Sequence, residues 1–141
     1  MQAIVDTGPL VAFFDRSERH HLWAAARVEE LDAPLLVCEP VLTEAIYLLA
    51  RFPNAQDACF SLLQNGALVV AFRLDDHIGV LRRLLQKYRD TPMSLADACV
   101  VRMAEIHSLA SKRELPVRAV IQGEIPGRSG LLAVQAPAMQ A

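Results

Sequence analysis

The chain has 141 residues, 53% of them hydrophobic, which is enough for one compact domain with a sizeable core and so for one functional site rather than a division of labour between domains. A formal charge of -2 supplies no general attraction for polyanions, so nucleic-acid binding has to come from local basic groups or bound cations. Cys38, Cys59 and Cys99 are odd in number, far apart and set in apolar sequence without a C-x-x-C pair, which excludes a zinc or disulfide-exchange motif and leaves them as reduced core residues.

The first element is a strand, Gln2 to Val5, with neither a basic segment nor a signal-type apolar core ahead of it. No uncharged apolar run approaches the roughly 20 residues a bilayer span needs, so the expectation is a cytoplasmic protein without membrane segments. Asp6, Thr7, Gly8 and Pro9 then make a strand-to-helix turn, with Pro9 at a first helical position and helix through about Phe14. A second helix is expected from His20 to Leu31, ending before Pro34, and a second strand from Leu35 to Cys38.

Glu39 and Pro40 announce a third helix that can continue to about Phe52, where Pro53 stops it. A fourth covers Ala55 to Leu63 and ends at Asn65 and Gly66, ahead of a third strand from Ala67 to Phe72. From Asp75 to Lys87 the residues Ile78, Leu81, Leu84 and Leu85 share one helical face, with Arg82, Arg83 and Lys87 largely on the other. A sixth helix runs from Ser94 to about His107. Leu115 to Gln122 can supply one more strand, and residues 123–141 read as an irregular or poorly ordered tail after a single domain spanning 1–122. Short apolar strands alternating with helices indicate an α/β domain with a mostly parallel sheet.

Three carboxylates carry the functional reading. Asp6 stands at the carboxyl end of the first strand, where open parallel sheets collect their functional groups. Taken alone it also reads as a turn or capping aspartate. Glu44 lies in the first turns of the largely apolar third helix, on a polar stripe with Tyr47 and Arg51 that also reads as a solvated face. Asp97 is three positions after Ser94 and completes a candidate capping box at the start of the sixth helix. All three begin, or nearly begin, helices on the same side of the sheet. Carboxylates brought together this way repel one another, and proton uptake or a divalent cation relieves the repulsion. Oxygen ligands suit magnesium or manganese, which can activate a water for attack on phosphorus.

The opening Ile4-Val5-Asp6-Thr7-Gly8-Pro9-Leu10-Val11-Ala12 resembles the first-strand motif of the PIN domain family. Val41-Leu42-Thr43-Glu44 and Ser94-Leu95-Ala96-Asp97-Ala98 resemble its second and third motifs, in the same order, over roughly the first three quarters of the chain. The resemblance is to the toxins of VapBC toxin-antitoxin pairs in particular. It implies a Rossmann-like three-layer α/β/α fold, a ribonuclease dependent on Mg2+ or Mn2+, a homodimer, and a partner antitoxin. Carried over, Asp6 and Asp97 become metal ligands, Glu44 a ligand or water-positioning acid, and Thr7 the residue that orients Asp6 through its hydroxyl.

One departure stands out. Such domains usually continue into a strand ending in a Thr-x-Asp-x-Asp-Phe-like segment that adds a further acid, and neither Glu114 nor Gln122-Gly123-Glu124 matches it. A reading-frame change in the gene after His107 would account for the loss of pattern, and a weakened ligand set would lower metal affinity. The competing reading is a PIN-like module that binds protein or RNA without catalysis. Arg16, Arg19, His20, His21, Arg82, Arg83 and Lys87 are candidate phosphate contacts, and Trp23 and Tyr47 candidate base-stacking residues, although each also reads as ordinary surface or packing.

Overall fold

A computed structural model of the chain describes residues 3–111 and 120–121. The strands β1 (Ile4–Val5), β2 (Leu35–Val37), β3 (Leu68–Val70) and β4 (Val120–Ile121) form one sheet in the order β3-β2-β1-β4. Every pairing is parallel, with Ile4 opposite Leu36 on one side and Val120 on the other. β1 and β2 are buried at every position, the pattern of strands covered on both faces. The expected α/β class with a parallel sheet is therefore observed.

Among the described residues the α-helices are α1 (Thr7–Phe14), α2 (His21–Glu29), α3 (Glu39–Leu48), α4 (Pro53–Gln64), α5 (Ile78–Lys87) and α6 (Leu95–Ser111). The chain steps from β1 to β2 to β3 in one direction and then returns past both to β4. Right-handed crossovers place the helices of the outward and return paths on opposite faces of the sheet. Leu10, Val41, Leu49, Leu68 and Met103 are fully buried between these layers.

Several boundaries differ from the sequence reading, each for a local reason. α1 begins at Thr7 rather than Pro9, because the Asp6 side chain accepts the Thr7 N–H and caps the helix two residues earlier. α3 ends at Leu48, short of the expected Phe52, and Pro53 starts α4, since a proline at the first helical position loses no hydrogen bond. Gly66, with φ at +80°, makes the turn into β3 that a side-chain-bearing residue adopts only with strain. β3 stops at Val70, where its pairing with β2 ends, and Phe72 is buried in the core with its ring stacked on His77 at 4.8 Å. The helix expected from Asp75 starts as a short 3-10 turn, Leu74–His77, and Ile78 at the head of α5 is exposed rather than buried. Of the last expected strand, Val120 and Ile121 form β4. The rest of that segment, Glu114, Gln122-Gly123-Glu124 and the tail 123–141 lie outside the described residues.

Candidate active site

The strand order reverses at β1, which has β2 on one side and the last strand on the other. Loops leaving the carboxyl ends of strands at such a point diverge to opposite faces and open a crevice. Asp6 is the first residue after β1 and stands at that crevice. It is the only buried charged residue among those described, 3% exposed. The Thr7 N–H, orphaned at the start of α1, donates to Asp6 Oδ1 at 2.7 Å.

Burial pushes the Asp6 carboxyl up from 3.8 to about 6, against the opposing pull of the Thr7 N–H. The negative charges of Asp97 and then Glu44 raise it further. The field at Asp6 is thus a direct sign that the three acids share one region. Packing explains how: α3 lies against α1 and α6, and α6 lies against β1.

Glu44 is exposed, and its Oε2 accepts the Thr7 hydroxyl at 2.8 Å. The expectation that the Thr7 hydroxyl orients Asp6 is corrected by this bond. Thr7 serves both acids, with its amide on Asp6 and its hydroxyl on Glu44, because as first residue of α1 its amide is free for the cap while its side chain points outward. Asp97 is half-buried in the first turn of α6. Its Oδ2 accepts the Ser94 N–H at 2.9 Å, and its own N–H donates to Ser94 Oγ at 3.0 Å. The capping box is real, and it does not compete with a site role: it holds Asp97 by one oxygen beside Asp6 and leaves the other free.

Asp6, Glu44 and Asp97 suit a hard divalent cation in charge and donor type, and Asp6 in particular gains from a counter-charge that replaces its proton. Among the described residues no three His, Cys, Asp or Glu side chains close around a single point as ligands. Glu44 is held by Thr7 and Asp97 by Ser94. Magnesium retains several waters and takes only one or two carboxylates directly, so its binding does not require three acids to close on one point.

Sequence reasoning missed the floor of the site. Cys38 immediately precedes α3, Cys99 lies two residues beyond Asp97, and both are fully buried. The two thiols lie close enough to act on each other's ionisation. The Cys99 thiol, then burial, and after them the charges of Cys99 and Asp6 push the Cys38 thiol well above its ordinary range, against the pull of the Val41 backbone. Both cysteines adjoin residues of the acidic motifs, and that adjacency was the available signal.

Of the candidate RNA contacts, Arg16 and Arg19 are exposed beyond the far end of α1, at the opposite end of that helix from Asp6. Arg82, Arg83 and Lys87 are exposed on α5. His20 and His21 are half-buried, the latter with its Nδ1 2.9 Å from the Ala12 carbonyl. Trp23 packs against the core, whereas Tyr47 is 78% exposed.

The sequence model of the PIN domain matches residues 3–111, the span that holds all three acids. The chain belongs to the PIN domain family. This PIN domain is 31% identical over 104 residues to the ribonuclease VapC26 of Mycobacterium tuberculosis, an alignment covering 72% of this chain and 77% of the relative. Its fold is similar to the crystal structure of Mycobacterium tuberculosis VapC20, a sarcin-ricin loop cleaving toxin. The TM-score is 0.66 with 18% identity, over 74% of this chain and 82% of the other. Membership agrees with the motif reading, and the three-layer architecture is the PIN fold.

Proposed function

We propose that this PIN domain is a metal-dependent endoribonuclease, the toxin of a toxin-antitoxin pair, with Asp6, Glu44 and Asp97 as its working acids. The observation that carries the reading is the buried Asp6 carboxyl, held near pH 6 with Glu44 and Asp97 acting on it across the carboxyl end of the sheet. A group so placed costs folding free energy, and a phosphodiester-cleaving site is a use that repays it. The relationship to a named VapC ribonuclease supports the substrate class and with it the antitoxin partner, and a homodimer is part of the same proposal.

Magnesium or manganese, when bound, supplies a water of lowered pKa and neutralises charge on the phosphoryl oxygens. Asp6 and Asp97 are the residues that would hold the ion. Glu44, with Oε2 occupied by the Thr7 hydroxyl, has Oε1 left to accept a hydrogen bond from the attacking water and orient it. Burial of Asp6 keeps competing solvent away from one wall of the site.

Cleavage of single-stranded RNA by the purified chain, with and without manganese, tests the reading. Wild type is expected to cut only with the metal, while Asp6→Asn and Asp97→Asn fold but do not cut. Metal-independent cleavage, or unchanged cleavage in both variants, would reject the site. RNA bound without cleavage at any metal concentration would favour the non-catalytic binding module.

A further inference from the structure

The outer face of α3 continues away from Glu44 in a way that the acids do not explain. Glu44 and Tyr47 are separated by three residues, which on a helix places them about 5–6 Å apart at Cβ, one turn from each other. Tyr47 is 78% exposed and Leu48 beside it 48% exposed. Arg51 follows in the turn after α3, also exposed, with its guanidinium 5.7 Å from the centre of the Phe52 ring. A tyrosine normally buries most of its ring, and the buried side of this helix is already filled by Val41, Ala45 and Leu49. Tyr47 therefore contributes nothing to the core. Its sequence neighbour in role, Trp23, is packed against the core and is not available in the same way.

We propose that Tyr47 is the base-stacking platform of this site, receiving one unpaired RNA base next to the phosphodiester at Glu44, with Arg51 meeting a phosphate one turn further along. The inference rests on the ribonuclease reading and adds to it how the strand is held. An aromatic face accepts any base, because every base has a π surface, and a neighbouring cation fixes the backbone. An acid and an aromatic ring one turn apart on the exposed face of α3, with an exposed cation in the turn that follows the helix, give a single strand crossing the site a base contact and a phosphate contact. The net negative charge of the chain makes such local contacts more necessary, since no broad basic field draws the strand in. The same geometry favours a flexible single strand over duplex RNA, whose bases are stacked on each other and closed to Tyr47.

The test separates binding from cleavage. A short unstructured oligoribonucleotide carrying one 2-aminopurine, placed at each position in turn, is added to the full chain in EDTA, where no cleavage occurs. Quenching at one position in wild type, lost in Tyr47→Ala and kept in Tyr47→Phe, is the expected result. With manganese present, Tyr47→Ala should raise KM for that RNA by about tenfold while kcat changes little, and an abasic site at the quenched position should remove the difference between wild type and variant. Melting temperature should be unchanged, because the ring buries little. Quenching that survives Tyr47→Ala, or absent quenching in a wild type that cleaves the RNA, overturns the platform and leaves the ribonuclease reading standing. A Tyr47→Ala chain that shifts from dimer to monomer, with quenching intact, assigns the face to a second copy and likewise overturns it. Quenching without any cleavage supports the platform and counts against the ribonuclease reading instead.

Discussion

The Thr7 hydroxyl donates to Glu44 across 37 residues of sequence, at 2.8 Å, and so ties the first helix of this PIN domain to the third. The bond is exposed, so its worth to stability is small, below about 1 kcal/mol. Its value lies in orientation, because it occupies one Glu44 oxygen and leaves the other without a hydrogen bond among the described residues. Thr7→Val should therefore lower kcat by about tenfold with little change in urea midpoint, and Thr7→Ser should restore it. Equal activity in Thr7→Val would show that Glu44 needs no such guide.

Asp6 makes the fold less stable, in a definite pH window. Its carboxyl titrates near 3.8 when the chain is unfolded and near 6 when folded, so the folded state holds the proton more tightly. Stability from this group is greatest below about pH 4, falls as pH rises from about 4 to 6, and stays low above that, a loss of about 3 kcal/mol in full. Asp6→Asn removes the ionisable group and keeps an oxygen for the Thr7 N–H. Urea unfolding in EDTA should show the variant gaining on wild type across that window and remaining the more stable above it. A difference that does not vary with pH would contradict the buried, charge-crowded Asp6.

Metal binding has to displace the Asp6 proton. Calorimetry with manganese in buffers of different ionisation enthalpy should find close to one proton released at about pH 5 and almost none at about pH 8, with affinity rising between them. Absence of proton release at the lower pH would place the ion away from Asp6.

Ser94 and Asp97 hold each other reciprocally, so the two functions of Asp97 can be separated. Ser94→Ala should cost about 1 kcal/mol through the lost cap and weaken manganese binding only modestly. Asp97→Asn keeps an oxygen for the Ser94 N–H and should melt close to wild type while losing most metal affinity. The opposite pattern would make Asp97 a cap alone.

The helix starts at Asp6 and Asp97, and the helix that carries Glu44, were legible in the sequence, because helix starts announce themselves through proline, capping residues and apolar periodicity. The parallel sheet was legible for the same reason, as short β-type runs alternating with helices. What could not be read were relationships across the fold. Which group the Thr7 hydroxyl meets depends on how α3 lies against α1. That Cys38 and Cys99 come near each other depends on the packing of α6. The exposure of Tyr47 rather than Trp23 depends on which helix face the core leaves uncovered, and both residues sit in amphipathic patterns of equal strength. The start of α1 was misplaced because Pro9 is a strong local signal, and the tertiary demand on Asp6 to cap at Thr7 outweighed it.

The most direct test of the central claim is a crystal structure grown with manganese, located by its anomalous scattering. The account predicts an ion in the crevice at the carboxyl end of β1, with an oxygen of Asp6 or Asp97 at about 2.1 Å and Glu44 reaching it directly or through one water. Manganese bound elsewhere, or a crevice left vacant at saturating manganese with Asp6 still protonated, would contradict it.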